Sequence, residues 1–339
     1  MKQYLVIITV LSVLVTTVQA KDPVDPSDWL DRMVVARKNQ SYSGTFVFGQ
    51  GDEMSSMKVM HRLQNGVEQE RLIALDGEPR EIIRKGDKVI CLYPGKAPVE
   101  LEQVLPRSAF ASGFSGGATP MATVYSISVA GMERLAGYEV VKVAVMAKDK
   151  FRYSYLLWLE KNTGLMVKSM LTGVDGEVLE HFQFTTLMLG ENIEDPEFYQ
   201  GSLAGGSAAA IEHSNAAEGQ TQNSEASPKP PLGVSWHPGW MPQGFALAPF
   251  MSKANNVMPE ASRSQVFTDG LTLFSVFVET QEEAEMPEGG SRMGATSAYS
   301  RYIDLGSEHY VVTVVGEVPI ETAKKVADNM RLTAIETSS

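Results

Sequence analysis

Short β-forming runs separated by turn dipeptides fill most of the first 190 residues, and no other feature of the chain limits its fold as strongly. Tyr42–Phe48, Met57–Leu63, Val67–Leu75, Arg80–Arg84 and Lys88–Tyr93 are rich in β-branched and aromatic residues, and Asn65-Gly66 and Asp76-Gly77 stand between successive runs. Tyr138–Met146, Phe151–Glu160, Leu165–Leu171 and Glu177–Leu189 continue the pattern, with Asp175-Gly176 before the last. A meander of roughly ten antiparallel strands is more than a flat open sheet carries without curling, so the first part of the chain is expected to wrap around a plug. One helix is available for that: Pro26-Ser27 supplies a start, Trp29, Leu30, Met33, Val34 and Arg37 recur at helical spacing, and Asn39 ends it. The irregular stretch from Pro106 to Thr123, small and weakly charged, is either a lid over the concave face or a surface loop.

Between Gly201 and Pro231 the composition shifts to small and polar residues with almost nothing to bury, as in a linker. Beyond it, Ser264–Thr268, Leu271–Glu279, Ala295–Asp304 and Glu308–Val318 read as strands, and Glu321–Arg331 reads as a helix with Ala323, Val326, Ala327 and Met330 on one face. The fold class expected is therefore mostly β (α+β): a half-closed antiparallel β-barrel with a helical plug over 21–200, a linker over 201–231, and a small antiparallel sheet domain with one covering helix over 232–339. Residues 1–20 read as a secretory signal peptide. Lys2 is followed by an apolar run too short to cross a bilayer comfortably, and Val18-Gln19-Ala20 fits the small-residue cleavage rule.

Charge and chemistry narrow the function. With 29 Lys+Arg against 41 Asp+Glu and a net charge of −12, the chain has no basic surplus for non-specific nucleic-acid binding. Its one cysteine, Cys91, rules out an internal disulfide, and its apolar strand setting reads as a small buried hydrophobe. The five histidines form no ligand pair at helical spacing, and no EF-hand loop, P-loop or dinucleotide fingerprint occurs. No metal or cofactor is expected. Gly113-Phe114-Ser115-Gly116-Gly117 matches G-x-S-x-G, but a nucleophile elbow needs a buried strand before the serine and a helix after it; here Pro106 precedes and Pro120 follows. An esterase acting through Ser115 is therefore set aside in favour of a non-enzymatic binding protein.

Apolar stock points to what is bound. Seventeen methionines and thirteen phenylalanines include Met57 and Met60 at one strand entry and Phe110 and Phe114 in the irregular stretch. These four are the first-domain candidates for contact with acyl chains, because methionine suits pliable apolar sites and a curled sheet can enclose a ligand. Gap filling in a curled sheet is the plainer reading of the methionines. Arg292 and Arg301 are second-domain alternatives for phosphate contact, against simple surface solvation. Trp236 and Trp240 sit between prolines in a rigid aromatic segment, and Phe274 and Phe277 lie on a strand apolar on both faces; the four are the candidates for partner contact. That second apolar face needs cover from docking on the first domain or from self-association into a homo-oligomer.

Several segments together resemble one family. Tyr42-Ser43-Gly44-Thr45-Phe46-Val47, Trp240-Met241-Pro242-Gln243-Gly244-Phe245, the run Phe267–Glu279 and the run Val311–Pro319 with Thr322-Ala323 resemble, in order, motifs of the MucB/RseB family. Leu157–Leu165 resembles the hairpin of lipoprotein carriers of the LolA type. The resemblance implies a periplasmic regulator that binds the periplasmic segment of a membrane-spanning anti-sigma factor, shields it from the site-1 protease, and lets go when lipopolysaccharide or lipoprotein binds. A periplasmic lipid or lipoprotein carrier that uses the first domain alone is the alternative. The second domain separates the two readings, since a two-point clamp on an extended peptide needs it and a carrier does not.

Overall fold

A computed structural model describes residues 25–86, 88–102, 121–195, 198, 233–248, 263–282, 284 and 287–334. Residues 1–20, the stretch with Phe110, Phe114 and Ser115, and the expected linker 201–231 lie outside the described residues.

The first lobe opens with α1 (Asp28–Asn39), whose Trp29, Leu30, Met33 and Ala36 are buried. Asp28 and Asp31 in its first turn and Arg37 and Lys38 in its last complement the helix dipole. Eleven strands follow: β1 (Tyr42–Gln50), β2 (Glu53–Gln64), β3 (Val67–Ala74), β4 (Glu81–Lys85), β5 (Lys88–Leu92), β6 (Val99–Glu102), β7 (Tyr125–Leu135), β8 (Tyr138–Ala147), β9 (Ser154–Glu160), β10 (Met166–Thr172) and β11 (Val178–Leu189). They form one antiparallel sheet in the order β6-β5-β4-β3-β2-β1-β11-β10-β9-β8-β7, with β1 joined to β11 and, among the described residues, the two edges left apart. The sheet is curled but not closed, and α1 is its plug. Trp29, Leu30 and Met33 pack on its inner face against Val143, Leu157 and Leu159. Arg32 fixes the helix by donating from Nη2 to the carbonyls of Lys161 and Asn162 at 2.9 and 2.7 Å. The hairpin that receives it is closed by Glu160. Burial alone would raise that carboxyl's pKa, but donation from Thr163 and Asn162 holds it below the usual carboxylate range.

The second lobe contains β12 (Val234–Pro238), β13 (Ala246–Leu247), β14 (Ser264–Thr268), β15 (Leu273–Thr280), β16 (Gly289–Met293), β17 (Thr296–Leu305), β18 (Glu308–Gly316), α2 (Ile320–Asp328) and β19 (Met330–Ala334). Six strands form a sheet in the order β13-β14-β15-β18-β17-β16, and β12 pairs with β19. Phe274, Val276, Val312 and Val314 meet Ala323, Val326 and Ala327 of α2 in one core. The helix ends three residues before the expected Arg331, because Met330 and Arg331 are taken into β19 as partners of Pro238 and His237.

This arrangement relocates two expected partner residues. Trp236 is 1% exposed and Phe274 is 0% exposed, and both belong to the second core. Neither has surface to offer a partner. Phe277, on the alternate face of β15, is 38% exposed and keeps such a surface.

Candidate functional site

The inner face of the first sheet is incompletely filled. Against α1 lies a cavity of about 320 Å³, bounded by Met33 and Val34 of α1, Phe46 and Phe48 of β1, Val59 of β2, Leu72 of β3, Met166 of β10, and Phe182 and Phe184 of β11. The register explains the aromatic wall. Phe46 faces Phe184 and Phe48 faces Phe182 across the β1–β11 pair, so four rings stand side by side on one face. Phe46 and Phe182 are 5.0 Å apart between centroids, and Phe182 and Phe184 meet edge to face at 5.1 Å. Charged groups also line it: Arg37, Glu70 and Arg84, and Glu180 and Glu317. Arg84 Nη1 donates to Glu70 at 3.2 Å. A mostly apolar lining with a few charged groups, at the low end of ligand-pocket volume, suits one chain of an amphiphile.

The methionines expected at this site lie elsewhere. Met60 is on the opposite face of β2, where it packs with Ile83, Leu92 and Phe198. Met57 is partly buried and pairs with Phe46, just outside the cavity wall. Phenylalanine supplies the wall instead. Its signal was the alternation in Phe46-Val47-Phe48 and Phe182-Gln183-Phe184, which places both rings of each strand on one side.

Glu317 belongs to the second lobe, so that lobe completes the cavity wall, and the contact between lobes is extensive. Leu271 and Ala295 of the second lobe are part of the first lobe's main core, beside Met121, Val124 and Tyr125. At its centre Arg152 pairs with Asp269, and neither side chain has any exposure. Asp269 also accepts from Tyr125 Oη at 3.0 Å, and its other oxygen caps the Leu271 and Thr272 amides at 3.0 Å each. Arg152 further donates to the Gln243 carbonyl at 2.6 Å and lies 5.2 Å from the ring of Phe245. Burial and the carboxylate beside it push the Tyr125 phenol well above its ordinary range.

The segment Trp240–Phe245 therefore serves as the docking loop between lobes. Gly244 holds φ +89°, and a Cβ there would lie 3.1 Å from Val124, so glycine meets both the backbone and the packing requirement. Trp240 meets Phe151 of the first lobe edge to face at 5.1 Å, and Lys325 of α2 lies 4.0 Å from the tryptophan centroid. The expected phosphate ligands are likewise engaged internally. Arg292 pairs with Glu177 of the first lobe at 2.9 Å, and Arg301 donates to the Asp328 carbonyl at 2.7 Å.

Comparison with known proteins places this geometry. The model of the MucB/RseB N-terminal domain matches residues 25–201, and that of the MucB/RseB C-terminal domain matches residues 231–331. The chain belongs to the MucB/RseB family. It is 32% identical over 316 residues to the sigma factor AlgU regulatory protein MucB of Pseudomonas aeruginosa, covering 93% of each chain. The solved complex of Pseudomonas aeruginosa MucA and MucB is similar over 92% of this chain and 100% of the matched chain, at 30% identity and a TM-score of 0.66. A structure of MucB with MucA(peri) is similar over 92% of this chain and 100% of the matched chain, at 29% identity and a TM-score of 0.65. Those MucB/RseB relatives span both lobes, so the docking loop and the cavity wall fall within the shared length.

Proposed function

We propose that this chain is a periplasmic regulator that binds the periplasmic segment of a membrane-spanning anti-sigma factor, shields that segment from site-1 proteolysis, and is released by lipopolysaccharide or lipoprotein acyl chains. The observation that carries the reading is family membership over both lobes, together with similarity across nearly the whole chain to a MucB solved with MucA. The signal-like first twenty residues support a periplasmic location. The phenylalanine-walled cavity supports the lipid part, because it offers apolar surface to a chain and charged groups to a head. Binding here is regulatory rather than catalytic, with two ligands linked through one protein.

The test uses the full mature chain. Fluorescence anisotropy of a labelled anti-sigma periplasmic segment from the same organism should show saturable binding, and cleavage of that segment by the site-1 protease should slow when the protein is present. Lipopolysaccharide should then reverse both effects. A segment that neither binds nor gains protection would refute the regulatory reading. The carrier alternative draws on the same cavity. It would be preferred if the protein moved acyl-chain probes between vesicles while leaving the anti-sigma segment unprotected.

A further inference from the structure

Two carboxyls line the cavity where the second lobe closes it. Glu180 of β11 is buried, and its Oε1 accepts from the Gln50 side-chain amide at 2.9 Å and from the backbone amide of Ala295, across the lobe boundary, at 3.2 Å. Glu317 follows β18, and its position is fixed through its backbone: its amide donates to the Leu273 carbonyl at 3.2 Å, and its carbonyl accepts from Thr272 Oγ1 at 2.7 Å. Both side chains line the cavity, and among the described residues no basic group is within ion-pair distance of either. The nearby cations are committed to other acids. Arg152 pairs with Asp269, Arg292 with Glu177, Arg84 with Glu70 and Arg37 with Glu68. Among the described residues Tyr153 and Tyr155 also face the pair, and they stay neutral because burial raises both phenols.

Like charges buried together resist joint ionisation. Burial, reinforced by the charge of Glu180, pushes Glu317 up to about 8, and burial also raises Glu180 against the hydrogen bonds that hold it down. We propose that Glu180 and Glu317 form a protonation-sensitive latch between the lobes: the second lobe caps the cavity while one carboxyl is neutral, and ionisation of both, or a ligand that reaches them, releases that edge. The lipid coupling rests on reading the cavity as an acyl-chain site, whereas the latch itself needs no ligand. The centre of the contact, built on Arg152 and Asp269, holds a matched pair and has no such repulsion. The lobes are therefore fastened firmly at the centre of their contact and labile at the cavity.

The sign follows from linkage. The capped state holds the Glu317 proton more tightly than the released state, whose carboxyl returns to its ordinary value of 4.5. Capping is then favoured at low pH, weakens as pH rises toward 8, and levels off above it; full release of Glu317 bounds the change at about 90-fold between pH 6 and pH 9.

The Ala295 amide reports the latch directly, since it is fully buried and bonded to Glu180. Its hydrogen exchange in the full chain without ligand, corrected for the intrinsic pH dependence, should speed at least tenfold from pH 6 to pH 9. Glu317→Gln should flatten that response and Glu180→Gln should reduce it, since Glu180 reinforces what burial begins, while Glu308→Gln on an exposed hairpin should keep it. A flat wild-type profile, or an undiminished slope in both folded glutamine variants, would overturn the latch. In a second arm at pH 6, a fluorescent fatty acid should speed the exchange. Probe binding that leaves it unchanged would overturn the coupling; no probe binding, with the pH response intact, would sustain the latch and reject the acyl-chain reading.

Discussion

Arg152→Ala tests whether the lobes are docked as described, and its cost can be worked from the contacts. The substitution strands Asp269 with no exposed surface and no cation. Removing one partner of a buried pair typically costs about 3–5 kcal/mol, mostly from the charge left behind. Asp269 keeps the Tyr125 hydroxyl and the Leu271 and Thr272 amides, which favours the lower end. Arg152 also gives up its bond to Gln243 and its place between the rings of Tyr125 and Phe245, and each cation–π contact adds about 0.5–2 kcal/mol. A net loss near 4 kcal/mol corresponds to a fall of roughly 8–16 °C in Tm for lobes of this size. Differential scanning calorimetry of the full chain measures it. Adding Asp269→Asn removes the stranded charge while leaving an oxygen to cap the two amides, so the double variant should be more stable than Arg152→Ala alone. A fall of under 2 °C for the single variant, or a double variant worse than the single, would refute a buried interlobe ion pair.

Three further outcomes follow from individual contacts. Trp240→Ala and Phe151→Ala should each weaken docking by roughly 1–3 kcal/mol and should be clearly non-additive in a double-mutant cycle, because the two rings touch; independent effects would mean that Trp240 faces a partner. Gly316→Ala should cost several kcal/mol or prevent folding, since its Cβ would lie 2.4 Å from Phe274 Cα in the facing strand, and a near-neutral urea midpoint would mean that the β15–β18 register is wrong. Val59→Phe should fill the cavity and reduce affinity for a fluorescent fatty acid more than tenfold, with wild-type affinity placing the lipid elsewhere.

The fold was legible wherever local chemistry set it. Asn65-Gly66 reads as a two-residue hairpin turn, and both residues adopt positive φ, 53° and 78°. Strand β7 carries no such signal in the sequence, because its turn takes the same geometry with an unusual residue. Ala136 takes φ 48° before Gly137 at 90°, and alanine rarely occupies a left-handed position. Gly131, at a register shift inside β7, further breaks the alternation. Trp236 could not be placed from its neighbours. Its burial depends on pairing with Leu332, almost a hundred residues away and beyond a helix. The docking site was similarly dispersed: Arg152, Asp269 and Tyr125 come from three separate segments, and no spacing joins them before the chain folds. The cavity occupies an intermediate position, with its phenylalanine pairs visible in two strands and their convergence set only by the β1–β11 register.

Those placements change how a partner can be held. Two independently tethered domains, each with exposed aromatic anchors, would clamp an extended peptide through effective concentration. Here the second lobe's aromatic segment is already used: Trp236 is in a core, Trp240 packs on Phe151, and Phe245 flanks Arg152. Leu271 and Ala295 also complete the first lobe's own core, so cutting the chain into two parts would open that core as well as remove a binding surface. A partner of the docked form has two routes. It can lie across the composite surface that both lobes present, with exposed Phe277 as an available contact, or it can compete for the groups that hold the lobes together. The first route predicts that Arg152→Ala weakens partner binding along with docking; the second predicts that it strengthens it, because the cost of separating the lobes has already been removed. The sign of that one change, measured by anisotropy on the folded full-length variant, distinguishes a surface built by docking from one hidden by it.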